Sequence, residues 1–433
     1  MIRLRFLSSP SFSRNLLNVI CLTLLFSGGL RAEEAPANDV AARLKLLEDR
    51  VRQLEAELEA LRAAQASAAP VTPSPAATPM ATAPAPGGAP GGPSGQLPVY
   101  GGASTLAKIF NPDIGIIGNF TGAVGRNRVN PVASLSLQES ELSLQAIVDP
   151  YARADFFLAF GEEGVEVEEG YLTFPTVPGG FLVKVGKMRA AFGRTNEFHN
   201  HSLPWIDRPL MAFNLMGGAL EEADTGIKDA GLSVSRLLPA PGGLFLEATA
   251  QVYRGDSGSL FESSRRSDAA VVGHLKSYSD LTDQTNLELG GSYARGHNDL
   301  GSDFITRLFG LDATLRWKPL RRAIYHSFVA RTELAWSRRD DPFGPQRTFG
   351  YFFSADYQLA RRWFFGGRYD WSERGQNANE HDSSGSIVVT YWPSEFSGIR
   401  GQLRRTRYAE GSTANEFLFQ FLFTIGAHGA HPF

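Results

Sequence analysis

The side chains able to do chemistry are densest in one stretch, RAAFGRTNEFHNHSLPWIDRPLMAFNLMGGALEEADT over residues 189–225, with Lys184 just before it. Arg189, Arg194 and Arg208 supply cations there. Glu197, Asp207, Glu221, Glu222 and Asp224 supply carboxylates, and His199 and His201 supply imidazoles. The two histidines share a side on extended chain, but no third ligand accompanies them, so no metal is expected. No GxSxG, P-loop or zinc signature stands in its required context, so neither enzymatic activity nor a cofactor is expected. Selection by charge suits the mixture better. Phe198, Pro204, Trp205 and Phe213 place rigid apolar packing beside the charges. A segment folded into a water-filled passage needs that combination, because rings of charge sort ions there. The alternative is a loop that caps a mouth or meets a neighbouring subunit.

The elements around this stretch have a period of two. In GLFLEATAQVYRG, Leu244, Leu246, Ala248, Ala250 and Val252 share one face, while Glu247, Thr249, Gln251 and Tyr253 share the other. HSFVARTELAWS and WFFGGRYDWSE alternate in the same way, with aromatic rings near the segment ends. About sixteen such segments follow from residue 99 to 433, the first near 114–124, the ninth near 285–295, the fourteenth near 385–393 and the last near 415–427. Connections alternate between tight ones (DP, KPLRRA, ARR) and longer polar ones (RGHNDLGS, RRDDPFGPQRT, ERGQNANEHDSS). Short turns on one rim and long loops on the other describe an all-β transmembrane antiparallel barrel, and residues 191–225 form its third outer loop.

By parity, the lumen-facing set includes the cations Arg153, Lys184, Arg316, Arg331, Arg368, Arg400 and Arg404. The anions Asp155, Glu247, Glu288, Asp312, Glu333, Asp356 and Asp370 share that face. Both signs are present, which predicts a hydrated interior without fixing an ion preference. In NEFLFQFLFTIGAHGAHPF, Phe417, Phe419, Phe421, Phe423 and Ile425 face lipid, and Phe433 keeps their parity.

Before residue 99 the chain carries three other signals. Residues 1–32 read as a signal peptide: Arg3, Arg5 and Arg14 precede the apolar run LLNVICLTLLF, and LRA precedes Glu33. The single cysteine, Cys21, lies in that run, so disulfides cannot support the mature chain. Residues 33–63 carry Val40, Leu44, Leu47, Val51, Leu54, Leu58 and Leu61 at 4-3 spacing, the seam of a short parallel coiled coil on the periplasmic side. Residues 64–98 are an Ala/Pro/Gly-rich linker. The formal charge of −3 over 433 residues gives no support for nucleic acid as a partner.

This order of parts, with FLVKVGKMRAAFGR running into the long third loop, resembles the phosphate-selective porin O/P-type channels. The match departs where that family has Lys before PFG, since Arg189 is followed here by AAFG. The resemblance implies a homotrimer of barrels in the bacterial outer membrane, surrounded by outer-membrane lipid. It also implies passive diffusion of small hydrophilic solutes or inorganic ions, with a basic ladder for phosphate-like anions that the balanced lumen charges do not support. A terminal Phe433 resembles the signal read by the barrel-assembly machinery. The competing expectation is a structural anchor whose periplasmic coil binds cell wall or a partner.

Overall fold

A computed structural model describes Arg52 and residues 112–161, 164–217 and 225–426. The expected signal peptide, linker and Phe433 lie outside the described residues, as do Glu221, Glu222 and Asp224 and all of the coiled coil but Arg52.

Alternation dominates the chain because each strand separates two different environments. The first eight strands are β1 Asp113–Arg126, β2 Leu135–Asp149, β3 Ala152–Gly161, β4 Gly164–Val177, β5 Phe181–Arg189, β6 Lys228–Leu237, β7 Phe245–Tyr253 and β8 Ala270–Thr282. The second eight are β9 Thr285–Asn298, β10 Gly301–Trp317, β11 Phe328–Arg339, β12 Gln346–Ala360, β13 Trp363–Arg374, β14 Asn377–Ser394, β15 Ser397–Arg407 and β16 Thr413–Gly426. Each pairs antiparallel with its sequence neighbour, and β1 pairs with β16 to close a barrel without edges. Closure leaves no unpaired row of backbone groups, which a strand facing hydrocarbon could not tolerate.

Several connections are shorter than the sequence suggests. ERGQNANEHDSS reads as a loop, yet β13 and β14 run through it and leave only residues 375–376 between them. RGHNDLGS is likewise mostly strand, with only residues 299–300 outside β9 and β10. At the rim both strand faces meet water, so polar residues occupy both and the alternating signal disappears while the ladder continues.

The outer face carries exposed apolar side chains, among them Val185, Leu275, Phe309, Leu311, Phe365, Ile387 and Leu403. On β16 the exposed Phe417, Phe421 and Phe423 alternate with buried Leu418, Gln420 and Leu422. Part of the phenylalanine stripe also serves the seam. Phe423 pairs with Gly118 and Phe419 with Gly122, and a Cβ on either glycine would lie 2.0 or 2.2 Å from the ring. The rings therefore cover backbone that only glycine leaves open. Gly118→Val is expected to slow barrel closure by several-fold, measured as the rate at which unfolded chain acquires its heat-sensitive gel mobility in detergent.

Inside the barrel lies a second, apolar core. Phe192, Leu203, Trp205, Met211, Leu215 and Ile227, from the long connection between β5 and β6, pack against Leu308, Ala335, Phe352 and Val388 of the wall. The six-residue helix α1 (Leu210–Leu215) sits against β12 and β13. Wall glycines make room for the loop: a Cβ on Gly350 would lie 3.0 Å from Met211 Cβ, and one on Gly310 3.0 Å from the Phe192 ring.

Candidate functional site

The described part of loop three, residues 190–217 and 225–227, is fastened across the inner face of the wall. Its two stems are tied by Asn196, whose Nδ2 donates to Ala190 O (2.8 Å) and Ile227 O (3.0 Å) while Ile227 N–H donates to Asn196 Oδ1 (2.8 Å). The first stem crosses several strands. Ala191 N–H donates to Gln251 of β7 (2.8 Å) and Gly193 N–H to Ser292 of β9 (2.9 Å). Glu333 of β11 then receives the N–H groups of Arg194 (3.0 Å) and Thr195 (2.6 Å) and the Thr195 hydroxyl (2.6 Å). A carboxylate satisfying the free N–H groups of a helical turn is favourable twice, through hydrogen bonding and through the turn's dipole. Gly193, at φ +62, lets the chain bend onto that carboxylate; a Cβ there would lie 2.6 Å from Glu333 Oε2.

The middle of the loop is held by arginines. Arg208 is 2% exposed and donates to Asn200 Oδ1 (2.7 Å), Thr195 O (3.2 Å) and Phe198 O (2.5 Å), stitching the turn to itself. Asp207 is held from the wall: Arg368 Nη2 (3.0 Å) and Arg404 Nη1 (2.8 Å) donate to Oδ2, and Gln402 Nε2 (2.5 Å) donates to Oδ1. Arg400 donates to Trp205 O (3.2 Å), and the Arg368 guanidinium lies 4.8 Å from the Trp205 ring centre. Burial alone would push the Asp207 carboxyl up, but Arg368 and Arg404 outweigh it and hold it at about 2.

A third fastening involves the histidines. His199 Nδ1 lies 2.6 Å from Glu141 Oε2 and 2.9 Å from Glu168 Oε2, and His199 Nε2 lies 2.9 Å from Glu169 Oε2. His201 Nδ1 lies 3.7 Å from Glu139 Oε1 and 3.8 Å from Glu141 Oε2. Glu139 and Glu141 share the inner face of β2. Glu168 is the extra residue of a bulge in β4, where Phe157 opposes Glu169 and Leu158 opposes Val167, so two consecutive carboxylates point inward. Burial disfavours a charged His199, yet its three carboxylate neighbours more than offset this and hold the imidazole well above its ordinary pKa.

These contacts divide the expected site residues into two groups. Arg189, His199, His201, Asp207 and Arg208 are buried, as are the wall residues Glu333, Arg368, Asp370, Arg400 and Arg404. They were expected to face the passage, but the loop packs onto them and they anchor it. Lys184, Arg194 and Glu197 remain partly exposed. Around them the wall presents paired charges. Arg194 reaches Glu288 (3.3 Å), as does Arg316 (3.1 Å); Arg153 pairs with Asp155 (2.7 Å), and Arg331 with Asp356. Lys276, absent from the expected set, pairs with Glu247 at 3.3 Å. Asp312 lies on the same face of β10 and is buried. Parity could have found Lys276, which shares the inward face of β8 with His274. Glu139, Glu141, Glu168 and Glu169 were also missed. Glu139 and Glu141 carry an alternation signal, whereas the Glu168 bulge has none.

No protein-family model matches the chain. An uncharacterized protein of Aquifex aeolicus (strain VF5) is 31% identical over 394 residues, spanning 75% of this chain and 81% of that protein. Among solved structures, an anion-selective porin from Comamonas acidovorans superposes with a TM-score of 0.51 at 13% identity, covering 72% of this chain and 98% of the porin. The outer-membrane channel DcaP of Acinetobacter baumannii gives 0.48 at 11% identity, over 76% and 100% of the two chains. At 13% identity the likeness to the Comamonas porin is one of fold alone.

Proposed function

We propose that this chain, which belongs to the same family as the uncharacterized Aquifex aeolicus protein, is a passive outer-membrane channel for small hydrophilic solutes or ions. One observation carries the reading: the closed barrel places apolar side chains outside and charged ones inside. A soluble barrel would be built the other way round. An Arg or Lys on a lipid-facing position near the midplane would cost about 2–4 kcal/mol, so charge belongs on the inner face. Sixteen strands enclose a lumen wide enough for water. Loop three narrows that lumen by filling part of it with an apolar core and leaves a strip lined by Arg153, Lys184, Arg194, Lys276, Arg316 and Arg331 with their carboxylate partners.

The pairing of these charges bears on selectivity. Each cation except Lys184 lies beside a carboxylate, so the strip has local fields but little excess of either sign. A weak preference between anions and cations follows, and no phosphate specificity is assigned. Arg368, Arg400 and Arg404, the arginines a phosphate ladder would need, are spent on Asp207, Trp205 and neighbouring wall groups. The heptad spacing expected over residues 33–63 supports a homotrimer joined by that segment in the periplasm. Vesicles containing the purified protein should swell when diluted into isosmotic small sugars, faster for monosaccharides than for trisaccharides. Vesicles that stay as tight as protein-free ones would overturn the reading.

A further inference from the structure

We propose that Glu139, Glu141, His199 and His201 bind one divalent first-row transition-metal cation, of which zinc is the probe, and that this ion clamps loop three to β2. The four side chains are 6%, 2%, 9% and 6% exposed, and one ligand atom from each lies within 4.8 Å of the others. Two imidazole nitrogens with carboxylate oxygens are a donor set for zinc and its neighbours; calcium and magnesium take oxygen alone.

Three further observations point to an ion rather than to hydrogen bonding alone. Glu139 Oε1 and His201 Nδ1 are buried without a hydrogen-bond partner among the described residues. Unpaired buried polar atoms are costly, so atoms that converge on one point suggest a shared partner. The separations suit a site that rearranges slightly on binding, in which His199 Nδ1 and Glu141 Oε2, 2.6 Å apart, part to admit the ion while His201 closes in. His201 Nδ1 stands 3.7 Å and 3.8 Å from the two carboxylate oxygens, beyond a hydrogen bond. Two ligand atoms about 2.0–2.1 Å from a tetrahedral ion stand roughly 3.3 Å apart, so a small inward movement seats one. Finally, Glu169 Oε2 lies 2.9 Å from His199 Nε2 and is itself positioned by the Arg189 N–H, which donates to Glu169 Oε1 at 2.7 Å. A carboxylate on the far nitrogen favours the tautomer whose Nδ1 ligates once a metal displaces the proton it shares with Glu141, 2.6 Å away, the arrangement found behind metal-bound histidines. Glu168, 2.9 Å from His199 Nδ1, offers a further oxygen.

The test reads the metal and not conduction, so it can fail or succeed independently of the channel reading. The full chain, folded in detergent and stripped with a chelator, is titrated with zinc chloride, desalted and assayed for zinc per chain. One zinc per chain is expected, with an X-ray absorption spectrum showing two imidazole nitrogens and carboxylate oxygen at about 2.0–2.1 Å. Glu169→Gln should weaken binding about 10–100-fold while leaving the barrel folded. His201→Asn combined with Glu139→Gln should abolish it. If that double variant fails to fold, the wild-type spectrum still decides. A wild-type protein that retains no zinc would mean that the cluster is balanced by protons alone. That result, a spectrum without imidazole, or a folded double variant that keeps its zinc would each overturn the proposal.

Discussion

Asp207→Asn is expected to release the Trp205–Arg208 segment from the wall and to give a larger, noisier single-channel conductance than the wild type. The carboxylate is the one group that Arg368, Arg404 and Gln402 grip together. Removing one partner of a buried ion pair costs about 3–5 kcal/mol, mostly from the charge left behind. Arg368 keeps Asp370 (2.8 Å) and Arg404 keeps Glu416 (2.7 Å), which places the cost toward the lower end. The pH dependence has a definite sign. The folded-state pKa of Asp207 is depressed to about 2, so its contribution is complete above the unfolded value near 4 and is lost as pH falls through about 2. Wild-type loop docking should therefore survive at pH 4 and fail toward pH 2, whereas the variant lacks this contribution at every pH. A variant with wild-type conductance and wild-type resistance to proteolysis in residues 195–217 would contradict this anchoring role.

Trp205→Ala should do comparable damage for a different reason. The side chain is 1% exposed, meets Phe352 edge-on with ring centres 5.3 Å apart, and lies under the Arg368 guanidinium. Truncation leaves a cavity against a rigid wall, at a cost of about 3–5 kcal/mol. The barrel itself, held by its closed ladder, should stay folded, so the loss should appear as faster protease cleavage within loop three. Trp205 Nε1 is buried without a hydrogen-bond partner among the described residues, so Trp205→Phe loses no bond and, leaving a smaller cavity, should speed cleavage much less than Trp205→Ala. Because Arg368 touches both Trp205 and Asp207, the double variant should cost less than the sum of the two single changes. Strict additivity would mean that the two residues hold the loop independently.

Alternation made the barrel legible in the sequence. On β16 the order of Phe417, Leu418, Phe419 and Gln420 already separates outside from inside, and the structure keeps that parity to Ile425. Strand ends were less legible where both faces are wet, as in ERGQNANEHDSS, because polar residues on both sides erase the period. The site was legible in composition but not in role. Loop three supplies its charges within one short stretch, yet their partners come from strands far away in the chain, such as Glu333 for Thr195 and Arg404 for Asp207. No local pattern reports which charges will be covered. The histidines show the same limit: His199 and His201 lacked a third ligand in sequence, and β2 and a bulge in β4 bring them four carboxylates.

The most direct test is to add the purified protein, at nanomolar concentration, to a planar lipid bilayer in potassium chloride and record current at fixed voltage. A water-filled barrel assembled as a trimer should give discrete steps grouped in threes, with a reversal potential close to zero in a salt gradient. Folded protein that inserts into the bilayer but passes no current would contradict the reading of this barrel as a channel.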